Sequence, residues 1–544
     1  MKKPQLCEMT VKEKIGQMLM IHGTWWVGHK EISNDKGAFL KIIEEYQPGF
    51  VWLVGLPREN PYSFSMAEDK EYTKILDKCT KYPLLYAEDS ESGLAYRYYD
   101  ATSAVGALTV GAADNEELTY KLYKGIAAEN RAAGLRWRWA PVVDIPNRLA
   151  AANVGRSVSD DPDKIIKHAI ATMRAQESEG VVTCVKHFPG CDPYEFRDGH
   201  FSSPAITITL DEWEKTQGRT FKGAIDAGVM SIMTTHTSFP DVDDEMLNGK
   251  HLAGTLSEKI INGLLRKRLG FNGVIITDDI SMGGFQSLGE YGDLLIRTVN
   301  AGHDVLLGIM PNDIHYIYEA VEDGRIPMSR IDESCQRILD MKEKIGLFDD
   351  VETPYTSPKE AKKMILEANQ EIAEGALTLL YDRNNLIPVS RDAVKRVAVV
   401  YLSHDEKSIE RMDILKREFA ARGAGTDIYD HMDFKNCDEV YDHDLIIYAG
   451  RISPHNPYGM PSFHGDKMKT FFNAFAKNNE RSIGLSLGYP YIHIDCMTGA
   501  NTFVNAYALN ENTLTAFVKA IYGEIPFVGK SPVDIEPKRR VVYC

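Results

Sequence analysis

The hydrophobic pattern changes repeatedly along the first 310 residues of the chain. Short apolar or β-branched runs alternate with longer stretches of helical periodicity, such as Asn115–Ala132, Asp163–Ser178, Asp211–Ala227 and Ser257–Leu269. This alternation is typical of a parallel sheet built from β/α units, and eight such units close most naturally as a (β/α)8 TIM barrel. The eight predicted strands are Gln17–Ile21, Phe50–Val54, Leu84–Ala87, Trp139–Val143, Val182–Lys186, Ser231–Thr234, Val274–Thr277 and Asp304–Leu307.

The pattern breaks into acidic, proline-containing sequence at residues 348–354, which predicts the end of the barrel. We expect a barrel domain over residues 1–347, a linker and helix over 348–375, and a smaller α/β sandwich domain over 376–544. The elements predicted after the break are the helices Pro358–Glu374 and Glu511–Tyr522 and the strands Ala376–Leu380, Val397–Tyr401, Leu445–Ala449 and Ile483–Leu487.

The composition, 44% hydrophobic and 26% charged over 544 residues, is that of a folded globular protein. A formal net charge of −16 argues against nucleic acid and against an anionic membrane surface as partners. The start of the chain lacks the apolar core of a signal peptide, and no stretch approaches the roughly 20 apolar residues of a membrane span. Eight cysteines without metal-type spacing indicate free thiols, and we therefore expect a cytoplasmic protein.

Polar residues stand at or just past the C-terminal end of six of the predicted strands. Active sites of (β/α)8 barrels are built at this end, so the arrangement predicts a polar, concave pocket. A single charged residue there could merely cap a loop, but six strands ending in this way favour a binding site. The residues are His22, Asp89, Asp144, Lys186 with His187, His236 and Asp278.

Two of these strand ends carry groups suited to catalysis. The buried run before Asp278 and Asp279 delivers adjacent carboxylates, of which alternation lets only one enter the pocket. Such a carboxylate can attack an anomeric carbon, although an Asp-Asp pair can also simply cap a loop. The other strand end, Lys186-His187, continues through a polar loop to Asp198 and His200. These two residues are separated by one glycine, so the carboxylate can orient and charge the imidazole of an acid/base histidine.

Two other segments offer groups for holding sugar hydroxyls, and either could equally form structural ion pairs. One is Glu88–Gly93 followed by Arg97, and the other is Asp144 with Arg156 and Ser157.

Taken together, these segments resemble glycoside hydrolase family 3 over nearly the whole chain. The motifs stand in the family's order: KHFPG (186–190), SIMTTH (231–236), LSEKIINGLLRKRLGFNG (256–273), GVIITDDISM (273–282), AGHDVLL (301–307), ALTLLYDRNNLIPVS (376–390) and AIYGEIPFVGKSPVDI (520–535).

Within the family, KHFPG followed by Asp198-Gly199-His200 is similar to the β-N-acetylglucosaminidase branch. The resemblance implies a retaining, exo-acting enzyme without metal or cofactor, with Asp278 as nucleophile, His200 as acid/base and Asp198 as its partner. The branch usually has His-Gly where Cys191-Asp192 stand, and an arginine where Leu94 stands. The predicted substrate-binding residues are Asp89, Arg97, Arg156, Lys186, His187 and, from its place at a strand end, His236.

Other functions stay open at this point. A β-glucosidase or β-xylosidase of the same family would take its acid from a carboxylate of the second domain. A neutral histidine acid would repel phosphate less than a carboxylate would, which allows a phosphorylase. A barrel that only binds sugar is the alternative from another class. We expect a small oligosaccharide or glycoside as partner, and the second domain could complete the pocket rim or form a homodimer.

Overall fold

The computed structural model describes residues 2–22, 36–53, 65–146, 148, 154–310, 313–403, 405–452, 463 and 465–536. The chain forms two compact units, and neither is a single continuous segment. The first comprises residues 1–104, 119–147 and 165–366, and the second comprises 105–118, 148–164 and 367–544. The change at residue 366 falls between the boundaries at 347 and 375 that the sequence predicts.

The first unit is built on eight parallel strands in the order β10-β1-β2-β3-β4-β5-β6-β9. An isolated parallel bridge between Ile276 and Val305 joins the two ends of this order, so the sheet is a nearly closed barrel. The predicted (β/α)8 fold is confirmed. The strands, with a small hairpin β7–β8, are β1 Leu19–His22, β2 Phe50–Trp52, β3 Leu85–Glu88, β4 Trp137–Arg138, β5 Val182–Phe188, β6 Ser231–Thr234, β7 Met246–Leu247, β8 Lys250–His251, β9 Val274–Ile276 and β10 Leu306–Ile309.

The fourth strand is the one whose predicted position is wrong. The structure places it at Trp137–Arg138, whereas the sequence favoured the apolar run Trp139–Val143. That run contains Pro141, which has no N–H for a strand ladder, and only Val142 makes an isolated bridge, to Lys186. The predicted end of the second strand, Val54, lies outside the described residues.

Several helices begin with the reciprocal hydrogen bonds of a capping box, as at Thr10 with Glu13 and Ser65 with Glu68. The predicted helix Asp211–Ala227 is divided into two helices at Thr216. At this break the side-chain hydroxyl of Thr216 donates to the Glu212 carbonyl at 2.7 Å. The helices before residue 350 are Leu6–Glu8 (3-10), Val11–Gln17, Lys36–Tyr46, Met66–Asp77, Ala107–Ala113, Glu116–Ala132, Pro162–Ser178, Leu210–Lys215, Gln217–Asp226, Gly254–Leu256 (3-10), Lys259–Arg268 (π), Gly283–Gln286, Tyr291–Ala301, Ile314–Glu322 and Met328–Lys344.

The second unit contains a six-stranded sheet in the order β11-β16-β15-β14-β12-β13, parallel except for the pair β11–β16. Residues alternating along β12 belong to two different apolar clusters, so both faces of the sheet are covered. Two of the strands, β13 and β16, were not predicted from the sequence. The strands are β11 Thr378–Asp382, β12 Arg396–Ser403, β13 Gly425–Tyr429, β14 Leu445–Arg451, β15 Ser482–Ser486 and β16 Thr502–Asn505.

The helices of the C-terminal part alternate with these strands, and among the described residues no helix is long and apolar enough to cross a membrane. They are Pro358–Ala376, Glu406–Met412 (3-10), Asp413–Ala420, Cys437–Tyr441, Asp466–Met468 (3-10), Lys469–Asn473, Asn479–Arg481 (3-10), Ile492–Asp495 and Glu511–Ile521.

A buried charge cluster stabilises the N-terminal end of the barrel strands. Asp304, just before β10, is fully buried and pairs with Arg266, Arg330 and Arg337 at 2.6, 2.8 and 3.0 Å. It also accepts the Ile275 N–H at 2.9 Å. Replacing Asp304 by asparagine would leave the arginines buried without their counter-charge, so we expect a loss of about 3–5 kcal/mol of unfolding free energy.

The measurement is the urea concentration at the midpoint of unfolding of the barrel unit within the full chain. Asp323→Asn is the control. Asp323 pairs with Arg325 at 2.8 Å, but both side chains are 49% exposed, so its loss should change stability by less than about 1 kcal/mol. Equal midpoints for the Asp304 variant and the wild type would contradict the expected role of the cluster.

Candidate active site

Asp278 stands at the C-terminal mouth of the barrel, two residues after the end of β9. Burial by itself would raise the pKa of this carboxyl, because desolvation disfavours the charged form. Attraction from basic side chains nearby, His187 first and also Lys186, outweighs burial and holds the pKa below its ordinary value. The carboxylate is therefore ionised at neutral pH, which is the state that a nucleophile requires.

The two adjacent carboxylates have different partners. Asp278 Oδ1 accepts the backbone N–H of Asp279 at 2.8 Å, whereas Asp279 Oδ1 accepts the backbone N–H of Ser281 at 2.8 Å. The Asp279 carboxylate therefore closes the turn after the strand.

His236 lies behind this turn and has no exposed surface. Its Nε2 is 3.0 Å from the carbonyl oxygen of Asp279, and its Nδ1 is 2.7 Å from the hydroxyl of Thr255. Both ring nitrogens are thus engaged by the protein, and burial lowers the pKa of the imidazole. The ring supports the backbone beside Asp278, and contact of His236 with substrate stays a prediction.

Asp198 and His200 form a hydrogen-bonded pair. His200 Nδ1 lies 2.6 Å from Asp198 Oδ1, and the same oxygen accepts the His200 backbone N–H at 2.9 Å. The His200 side chain is 37% exposed and that of Asp198 only 10%, so the imidazole is accessible while the carboxylate behind it is shielded. This arrangement fixes the orientation of the imidazole ring.

The loop that carries this pair is hydrogen-bonded to the segment that follows Asp278. The backbone N–H of Gly283 donates to the carbonyl of His200 at 2.8 Å, and that of Gly284 donates to the carbonyl of Gly199 at 3.2 Å. The structure therefore brings the predicted nucleophile and the predicted acid/base pair to adjoining loops.

The same loop is closed at its base by Asp192, which is buried. Its Oδ1 accepts the backbone N–H of Tyr194 at 2.6 Å, and its Oδ2 accepts the hydroxyl of Thr207 at 2.8 Å. We name residues 191–207 the dyad loop. Sequence reasoning noted Asp192 only as a departure from the branch, because a contact with Thr207 leaves no signal in a local pattern.

Lys186, on β5, lies almost fully buried between two carboxylates of the loop after β3. Its Nζ contacts Asp89 and lies 2.8 Å from Glu91. Arg138 holds this loop from below by donating to the carbonyls of Ser90 and Glu91 at 2.8 and 2.7 Å. The predicted residues Asp89 and Lys186 are thus neighbours in a preorganised charged cluster, whereas Glu91 was not among the predicted site residues.

His187, next along β5, pairs with the buried Asp144. Its Nδ1 lies 2.7 Å from Asp144 Oδ2, and its backbone N–H donates to Asp144 Oδ1 at 2.9 Å. The sequence left Asp144 between a sugar contact and a structural ion pair, and in the structure both its oxygens are hydrogen-bonded to His187. The pair orients His187, the first of the groups that lower the pKa of Asp278.

Arg97 lies beside the buried Glu88 at 3.7 Å, with its guanidinium over the ring of Tyr96. Burial raises the pKa of Glu88 to about 7, and the charge of Arg97 partly opposes this. Glu88 Oε1 also accepts the backbone N–H of Asp89 at 3.0 Å. Glu88 therefore connects Arg97 to the backbone of Asp89, and sugar binding by Arg97 stays a prediction.

Arg156 belongs to the second unit, and its predicted role in sugar binding stays a prediction. No group of three or more His, Cys, Asp or Glu residues arranged to hold a metal ion is found in the part of the chain that the structure describes.

The sequence model of the glycosyl hydrolase family 3 N-terminal domain matches residues 10–341. The chain belongs to glycosyl hydrolase family 3. This family 3 glycoside hydrolase is 26% identical over 477 residues, 83% of this chain and 84% of the relative, to a β-N-acetylglucosaminidase/β-glucosidase of Cellulomonas fimi. It is 32% identical over 270 residues to a β-hexosaminidase of Xylella fastidiosa, covering 48% of this chain and 77% of that protein.

Solved structures resemble this chain over nearly its whole length. The β-glucoside phosphorylase BglX superimposes with a TM-score of 0.84 at 27% identity, over 98% of this chain and 94% of that one. The resemblance indicated by the sequence motifs is thus confirmed at the level of family and fold.

Proposed function

We propose that this family 3 enzyme removes a β-linked sugar from the non-reducing end of a small glycoside with retention of configuration. His200 protonates the leaving oxygen while Asp278 attacks the anomeric carbon, and His200 then deprotonates the acceptor that releases the sugar from Asp278. The observation that carries the proposal is the hydrogen bonding of the Asp198–His200 loop to the segment just after Asp278.

The terminal sugar is proposed to lie against Asp89, Lys186 and His187, with Arg97 at the edge of the same loop. Fixed charged groups that are already paired can exchange hydrogen bonds with hydroxyls at little reorganisation. N-acetylglucosamine is the first candidate sugar, because relatives named for N-acetylglucosaminidase and hexosaminidase activity match 83% and 48% of this chain. Glucose is the second, since the name of the Cellulomonas fimi relative includes both activities.

The acceptor in the second step is proposed to be water, with inorganic phosphate as the alternative. Two observations favour testing phosphate: the similarity to BglX extends over 98% of this chain, and the acid/base candidate is a histidine rather than a carboxylate. A histidine that has given up its proton is neutral, so it adds no repulsion against an anionic acceptor.

A reducing compartment suits this proposal. The seven cysteines that the structure describes are free thiols, which agrees with a cytoplasmic enzyme acting on imported or recycled oligosaccharides. A β-glucosidase or β-xylosidase using an acid from the second unit is the competing assignment.

The test is an assay of the full chain against 4-nitrophenyl β-glycosides of N-acetylglucosamine, glucose and xylose, each with and without phosphate. We expect cleavage of the N-acetylglucosaminide, with retention seen by NMR of the first-formed product. A sugar 1-phosphate formed only with phosphate would reassign the enzyme as a phosphorylase. Cleavage of only the glucoside or xyloside would reject N-acetylglucosamine, and binding without turnover would reject an enzymatic function.

A further inference from the structure

Two consecutive glycines on the segment that follows the candidate nucleophile are hydrogen-bonded to the dyad loop. The N–H groups of Gly283 and Gly284 open the short helix Gly283–Gln286 and donate to the carbonyls of His200 and Gly199. These are N–H groups at the start of a helix, which have no partner within the helix itself. The carbonyls of the dyad loop therefore accept the two N–H groups that the helix leaves without an acceptor.

The approach is so close that only glycine fits at the second position. A Cβ on Gly284 would lie 2.5 Å from the carbonyl oxygens of both Gly199 and Ser202. A Cβ on Gly283 would lie 3.0 Å from the carbonyl oxygen of His200, which is tight but within reach of a small shift. The atoms in the way are backbone atoms of the dyad loop, so a larger residue must displace the loop and not merely a side chain.

The dyad loop is attached at several points. The Ser203 hydroxyl donates to the carbonyl of His236 at 3.1 Å, and Ser238 exchanges backbone hydrogen bonds with Pro204 and Ile206 at 2.9 and 2.8 Å. Asp192 closes its base through Tyr194 and Thr207. The glycine pair holds its tip at His200, six residues or fewer from Asp278 in the chain that carries the nucleophile. Because the glycine pair bonds the backbone of His200 and Gly199 directly, displacing this attachment moves the acid/base candidate itself.

We propose that Gly283 and Gly284 are positioning residues that set His200 against the leaving oxygen of the substrate. The inference rests on the proposed function, because it takes His200 as the acid/base. Its consequence is specific: displacing the loop should impair protonation of the leaving group but leave attack by Asp278 intact. A displacement of about 1 Å in a reacting group is enough to lower the rate roughly 10²-fold.

The experiment compares kcat/KM for two aryl β-glycosides of the sugar that the enzyme accepts. 2,4-Dinitrophenolate leaves without protonation, whereas phenolate requires it. For Gly284→Ala we expect kcat/KM on the phenyl glycoside to fall about 10²-fold or more, with little change on the dinitrophenyl glycoside. Gly283→Ala should show the same selectivity with a smaller loss.

Gly289→Ala is the matched control, because it lies in the same segment and its Cβ would meet only side-chain atoms at 3.5 Å or more. It should resemble the wild type on both substrates. Thermal unfolding of each variant checks the fold, and if Gly284→Ala does not fold, the selectivity of Gly283→Ala decides.

His200→Ala, assayed alongside, distinguishes failure of the proposed acid/base role of His200 from failure of the positioning role of the glycines. If His200→Ala keeps wild-type activity on the phenyl glycoside, the proposed acid/base is wrong and the inference falls with it. If His200→Ala is selective but the folded glycine variants are not, or lose activity equally on both substrates, only the positioning role is overturned.

Discussion

Asp278→Asn is expected to abolish turnover of every glycoside that the wild type cleaves. Asparagine keeps the size of the side chain but cannot form the glycosyl ester, so kcat/KM should fall by at least about 10⁴-fold, more than general acid/base help contributes. The low pKa that His187 and Lys186 give to Asp278 means that the wild-type group is already ionised at neutral pH. The measurement is steady-state cleavage of a 4-nitrophenyl glycoside.

Asp279→Asn is the control for that experiment. Its carboxylate closes a turn by accepting the Ser281 N–H, a bond that an amide oxygen can also accept. This variant should keep most of the activity. Wild-type activity in Asp278→Asn, or an equally severe loss in Asp279→Asn, would show that the nucleophile has been assigned to the wrong carboxylate.

His200→Ala is expected to divide substrates by their leaving group. With phenyl glycosides the first step needs a proton from the imidazole, so kcat/KM should fall about 10²–10⁴-fold. With a dinitrophenyl glycoside the first step should be nearly unaffected, and the glycosyl enzyme should accumulate because base assistance to the acceptor is also lost. Stopped-flow release of dinitrophenol should therefore show a burst followed by a slow steady state.

The same variant tests the competing assignment. If the second unit supplied a carboxylate acid, His200→Ala would lose activity to a similar extent on both substrates or not at all. Asp198→Asn provides a graded comparison, because it keeps a partner for His200 Nδ1 but removes the charge that favours the imidazolium. Its loss on phenyl glycosides should lie between those of the wild type and His200→Ala.

Much of the barrel could be predicted from the sequence because hydrophobic periodicity is a local property. The hydrophobic pattern of a buried strand or an amphipathic helix can be recognised within about ten residues. Strand β6, for example, was predicted at its observed bounds. The position of β4 was predicted wrongly for the same reason, because only the local hydrophobic pattern was used. Trp139–Val143 is the more apolar run, but hydrogen bonding with the neighbouring strands selects Trp137–Arg138.

Part of the candidate site could likewise be predicted from the sequence. The rule that strand ends meet at one mouth pointed to Asp278, Lys186 and His187, and one intervening residue was enough to pair Asp198 with His200. The family resemblance then assigned their roles. These predictions needed only strand order or short separations along the chain.

Only the tertiary structure decided which distant groups hold those residues in place. Asp144 is 43 residues from His187, and His236 is 43 residues from the carbonyl of Asp279. The glycine pair meets the dyad loop across a still longer separation. The sequence by itself determined the fold and the family and predicted the reactive groups, because local periodicity and motifs carry that information. The partners that orient those groups depend on how separate strands and loops approach in space, which no local pattern records.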